Sequence, residues 1–103
     1  MIYISGGISN DPNYKKKFKK AERVLRSRFP STDIFNPADV SLPDCCGWED
    51  YEEIYLKFLI RSNTIFLLDD WYKSKNALIE HQYAKVKNLT IIFERDINEE
   101  ESL

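Results

Sequence analysis

Glu80 is set in an unusual neighbourhood for a glutamate. On a helix it touches the positions three and four away, Asn76, Ala77, Tyr83 and Ala84. Three of those four are apolar or aromatic. A carboxylate held there is partly desolvated, which raises its pKa or primes it as a nucleophile. A surface glutamate paired with Lys73 or Lys87 is the plainer reading, and most glutamates are solvated. Asp69 and Asp70 follow an apolar run. Paired carboxylates suit acid and base work at a glycosidic bond, or they cap the helix that follows. The two readings weigh equally. The loop Ser5-Gly6-Gly7-Ile8-Ser9-Asn10 places two glycines after a short apolar run. Such a turn lets backbone N–H groups approach an anion. It matches neither the dinucleotide nor the Walker spacing. A tight turn that needs positive φ is the stronger reading of the loop alone.

These residues need elements to position them. Ile2 to Ser5 reads as a strand that ends at Gly6-Gly7. Tyr14, Phe18, Ala21, Leu25 and Phe29 recur at spacings of three and four, which predicts a helix from Asn13 to Phe29. Asn13 or Asp11 caps it and Pro30 ends it. Asp33 to Asn36 is a second strand, and Pro37 to Gly47 a loop. Trp48 to Ser62 is a second helix with Trp48, Tyr51, Tyr55, Phe58 and Leu59 on one side. Thr64 to Leu68 is a buried strand, Ser74 to Lys87 a third helix, and Leu89 to Phe93 a fourth strand. Strands that alternate with helices predict a parallel sheet covered on both faces. The expected fold is α/β, with helices on both faces of the sheet. One domain spans residues 1–94, and a charged tail over 95–103 is expected to fray. Ligands of such sheets bind at the carboxyl ends of the strands.

Composition sets the outer limits. A single chain of 103 residues, 43% hydrophobic and 31% charged, has enough apolar material for one core and is neither fibrous nor disordered. No apolar run approaches the roughly 20 residues that span a bilayer. The first residues lack a basic leader, so a cytoplasmic protein is expected, with no membrane partner. Net charge is -2, which argues against a nucleic-acid partner. The basic run from Lys15 to Arg28 reads as a solvated helix face, because its aromatic residues belong to the apolar stripe. Cys45 and Cys46 are adjacent, with no other cysteine to pair with, which excludes a disulfide scaffold. Two thiols and one histidine, His81, do not make a structural zinc site. His81 points about 100° away from Glu80 on the helix, so the two do not form a dyad.

The pattern resembles the nucleoside 2-deoxyribosyltransferase superfamily, its small members and the deoxynucleoside 5'-monophosphate N-glycosidases in particular. The resemblance rests on Tyr3-Ile4-Ser5-Gly6-Gly7-Ile8, Asn36-Pro37-Ala38-Asp39, Trp48-Glu49-Asp50-Tyr51, and the stretch from Trp71 to Glu80 followed by Ala84. It covers nearly the whole chain, and it implies an α/β, flavodoxin-like three-layer fold with a parallel sheet of four or five strands in the order 2-1-3-4. It implies cleavage or transfer at the N-glycosidic bond of a 2'-deoxynucleoside or its 5'-monophosphate. Glu80 would be the nucleophile and Tyr3 the tyrosine that orients it. Ser5, Gly6, Gly7, Ile8, Asp39, Asp70, Trp71, Ser74 and Asn76 would contact the substrate. Ser74, six residues before Glu80, would suit a 5'-phosphate better than an aspartate, which would repel it. The resemblance further implies no metal, no cofactor and a homo-oligomer whose neighbour completes the site. Two positions depart from the family pattern. Tyr55 stands where the family has an aspartate, and Asn76 where it has a glycine. They motivate the alternative of a nucleotide-binding module without catalysis.

Overall fold

The computed structural model describes residues 1–9 and 11–101, with side chains described through Ile97. Eight regular elements follow one another: β1 (Ile2–Ser5), α1 (Tyr14–Arg28), β2 (Ile34–Phe35), α2 (Trp48–Arg61), β3 (Thr64–Leu67), α3 (Lys75–Val86), β4 (Thr90–Phe93) and α4 (Glu94–Glu101). Single 3-10 turns at Pro37–Asp39 and Trp71–Lys73 follow β2 and β3. The four strands form one parallel sheet in the order β2-β1-β3-β4. The expected α/β, flavodoxin-like architecture and strand order are therefore found, with four strands. Among the described residues, no helix is long and apolar enough to cross a membrane.

The period of two along β1 divides the core. Ile2 and Ile4 face α1, where they pack with Phe18, Ala21 and Leu25. Tyr3 faces the other way and packs with Tyr55 and Leu59 of α2 and Ala84 of α3. Its ring lies 5.4 Å from Phe35, which stacks on Phe58 at 4.3 Å. The tyrosine is thus braced by β2 and α2 together. β1 and β3 sit at the centre of the sheet, and their residues 2–5 and 65–67 are buried.

Helix ends follow local chemistry. Asp11 accepts from the Asn13 N–H at 2.8 Å, and no side chain caps α1 from Asn13. Pro30 follows the last turn of α1, where continuation would cost a clash and a lost hydrogen bond. Ser74 caps α3, accepting from the Ala77 N–H at 3.2 Å. The far end of α3 closes on Asn88 with φ 58°. The Leu89 N–H reaches the Ala84 carbonyl and the Asn88 N–H reaches that of Lys85, the paired closure of a Schellman turn.

Two expectations are corrected. Neither Gly6 nor Gly7 adopts positive φ. Glycine is needed at position 6 for space: a Cβ there would lie 2.7 Å from Leu68 Cδ1. The tail does not fray after β4. It continues as α4, and Ile97, only 5% exposed, enters the core beside Leu25 and Leu68. Burial of one isoleucine anchors a segment that is otherwise polar or charged. Residues 102 and 103 of the tail and Asn10 of the first loop lie outside the described residues.

Candidate active site

Tyr3 and Ser5 are two apart on β1, so both side chains leave the same face of the sheet. Glu80 comes down onto that face from α3. The Tyr3 hydroxyl donates to Glu80 Oε2 at 2.5 Å, and the Ser5 hydroxyl donates to Oε1 at 2.6 Å. Both carboxylate oxygens are taken by neutral donors. Lys73 and Lys87 play no part in holding it, so the surface reading of Glu80 gives way to a carboxylate fixed against the central strand. Short O–H donors of this kind bind an ionised carboxylate strongly.

Burial pushes the Glu80 carboxyl up to about 7, while the bonds from Ser5 and Tyr3 pull it back down. Desolvation outweighs the two donors, and the group titrates near neutrality. Tyr3 is raised far above the usual phenol range, first by burial and then by the charge of Glu80. It stays a proton donor. Tyr55 is pushed up to about 12, chiefly by burial. It too remains protonated.

Glu80 lines two openings. A tight cavity of about 20 Å³, room for about one water, lies between Tyr3, Ile8, Tyr55, Ser74, Asn76 and Glu80. On one side it meets a groove of about 420 Å³ walled by Ile8, Tyr14, Trp48, Tyr51 and Tyr55, with Asp39 on its edge. On the other side lies a more apolar groove of about 270 Å³ between α2 and α3, bounded by Leu56, Ile79, Asn76 and Glu80. Tyr55 lines all three. Together they form a cleft at the carboxyl end of β1, beside β3. There the chain order reverses across the sheet, the usual place for a ligand in such folds.

The structure gathers some of the expected residues and separates others. Tyr3, Glu80, Gly6, Ile8, Ser74 and Asn76 border the tight cavity. Ser5 is at the same place, with its proton committed to Glu80. Ser74 keeps its hydroxyl proton, because the cap uses only its oxygen. Asp39 is exposed at the rim. Gly7 lies between Ser74 and Asp70, and its N–H is 3.5 Å from Asp70 Oδ1. Asp70 turns instead toward Lys17, whose ammonium is 3.4 Å away and also pairs with Asp11. Asp69 is exposed, and its backbone N–H donates to Glu94 Oε1 at 3.0 Å. Neither aspartate caps a helix with its side chain. Trp71 packs on His81, ring centres 4.5 Å apart, away from the cleft. His81 is accordingly no partner of Glu80. Asn76 sits in regular helix, so its tolerance of left-handed backbone is not called upon.

Trp48 and Tyr51 belong to a motif of the resemblance and to one side of a helix, with no site role assigned from sequence, yet they wall the larger groove. Their rings and that of Tyr55 lie 6.1–6.4 Å apart. The signal was present in the spacing: residues 48, 51 and 55 fall on one helical face, where Trp48 is exposed, Tyr51 half-buried and Tyr55 buried. A family model described as a domain of unknown function (DUF4406) matches residues 1–93. No curated protein and no solved structure matches the chain.

Proposed function

The chain belongs to the DUF4406 family, and we propose that it cleaves, or transfers across, the N-glycosidic bond of a 2'-deoxynucleoside or its 5'-monophosphate. The reading rests on one observation. A single carboxylate at the carboxyl edge of a parallel sheet has both oxygens held by hydroxyls of the central strand, 2.5 and 2.6 Å away. Such a group is oriented for one direction of attack and needs no rearrangement to use it.

Glu80 attacks the anomeric carbon. The C1'–N bond breaks, and its electron pair leaves with the base. A glycosyl ester on Glu80 results. Water then opens the ester in hydrolysis, or a second base does so in transfer. Tyr3 holds the carboxylate through both steps. Tyr55, protonated at the meeting point of the three openings, is the group available to donate a hydrogen bond to the departing base. Ser74, with a free hydroxyl proton at the start of α3, is placed to meet a sugar hydroxyl or a phosphate. Asp70 lies across Gly7 from this cleft, where Lys17 offsets part of its charge.

We also propose a homo-oligomer. Leu56 and Ile60 of α2 and Leu78, Ile79 and Val86 of α3 are each more than 40% exposed. Two of them, Leu56 and Ile79, line the groove at Glu80, and exposed apolar residues beside a groove suit an interaction surface.

The deciding experiment is product chromatography with each deoxynucleoside and each 5'-monophosphate, with and without a second free base, beside Glu80→Ala. Free base from the wild type only is the expected result. Dependence on the added base separates transfer from hydrolysis. No release from any substrate, together with thermal stabilisation by a nucleotide, would overturn the catalytic reading in favour of a binding module.

A further inference from the structure

A second hollow opens at the carboxyl edge of β3 and β4, and it shares no residue with the openings at Glu80. Its floor is the cross-strand pair Leu67 and Phe93, the last residues of their strands. Its walls are Trp71 and Tyr72, from the turn that follows β3. Asp69, Arg95 and Asp96 complete the lining. The volume is about 340 Å³, within the lower range of small-molecule sites.

The chemistry of this lining is selective. Trp71 is held in place, with His81 at 4.5 Å and Phe93 at 6.0 Å between ring centres. Tyr72 is 55% exposed, more than a packing role requires. Aromatic faces carry negative potential and attract cations. The Tyr72 ring already meets one cation, the Lys73 ammonium 5.8 Å from its centre. Among the charged residues of the lining itself, two carboxylates stand against one guanidinium, a net negative charge. An anion would meet that charge directly, and a neutral guest would leave it uncompensated. Against the indole, burial and then Lys85 hold His81 below its usual range.

We infer that this hollow is a second ligand site, which takes a small organic ammonium ion: its alkyl groups lie against Trp71, Tyr72 and Phe93, and its charge faces Asp69 and Asp96. The inference stands apart from the Glu80 reading, because the two sites have no lining residue in common.

Choline is the probe, titrated at constant ionic strength while backbone and indole resonances are followed by NMR. The comparator is 3,3-dimethylbutan-1-ol, which has the same shape without the charge. Choline is expected to saturate and to move the Trp71 indole and Phe93 signals, with the alcohol weaker by about tenfold or more. The double variant Asp69→Asn, Asp96→Asn changes only exposed side chains, and it should weaken choline by about tenfold while leaving the alcohol unchanged. Equal binding of the alcohol and choline would overturn the inference, as would no saturable shift at Trp71. Release of free base is to be measured on the same double variant. Loss of choline binding with unchanged release is the expected pair of results, and it keeps failure at one site distinct from failure at the other.

Discussion

Glu80 answers to two opposing forces, and its pH behaviour follows from which one wins. Burial raises its carboxyl to about 7 from the usual 4.5, against the pull of Ser5 and Tyr3. As a nucleophile it must be ionised. The rate of base release, as kcat/KM, should therefore rise with pH up to about 7 and then level. A profile that falls through this range would instead make Glu80 a proton donor. The same shift bears on stability. The native state binds a proton at Glu80 more readily than the unfolded chain, so stability falls as pH rises from 4.5 to about 7. Glu80→Gln cannot ionise and escapes this loss. Its advantage in thermal unfolding over the wild type should grow between pH 5 and pH 8, by on the order of 1–3 kcal/mol. Tyr3→Phe removes a donor that favours the ionised form. The acid limb of the rate profile should then move to higher pH, and kcat should fall on the order of 10²-fold through lost orientation.

The turn between β1 and α1 is shaped by a neighbour. Leu68 follows β3, and its N–H bonds the Ser5 carbonyl at 2.9 Å. Its side chain then fills the space over Gly6. Gly6→Ala should cost about 1–3 kcal/mol, because Leu68 must move to admit the methyl group. Gly7→Ala meets nothing nearer than 3.6 Å and no positive φ, and it should fall within about 0.5 kcal/mol of wild type. Urea unfolding of the two variants side by side checks the contrast. Equal losses would contradict a steric origin for Gly6. The start of α3 depends on Ser74, whose cap satisfies the Ala77 N–H. It is the same helix that delivers Glu80, so the cap and the candidate nucleophile share one rigid unit.

For the molecule as a whole, the two faces of the sheet are closed to different degrees. On the α1 side, Phe18, Ala21, Leu25 and Ile97 cover Ile2 and Ile4 with little left over. On the α2 and α3 side, apolar residues remain outside: Ile60 is 59% exposed and Ile79 58%. Covering such surface by a second copy gains roughly 25 cal/mol for each Å² removed from water. Sedimentation velocity at micromolar concentration should find an oligomer, and charge at Ile60 and Ile79, as Ile60→Glu with Ile79→Glu, should yield a monomer. A monomeric wild type would remove the oligomer from the proposal.

The alternation of apolar runs and helical stripes was sufficient for the α/β class and a parallel sheet. Buried parallel strands such as Ile65 to Leu67 must be apolar on both faces, and the helix between each pair needs its own stripe, so periodicity alone orders the elements. The helix neighbours of Glu80 hinted at desolvation for the same reason: residues three and four apart always meet. Long-range placement is a different matter. That Ser5 and Tyr3 spend their protons on a residue 75 and 77 positions away depends on which strand lies under α3. The reason for Gly6 lies in Leu68, a residue of another loop. Ile97 anchors α4 as a lone isoleucine, and a single apolar residue has no period to detect. Asp70 and Trp71 stand next to the site in sequence yet turn away from it, because the short turn after β3 sends its side chains toward α1 and β4. Local order is written in spacing along the chain; the partners of a side chain are decided only when distant segments pack.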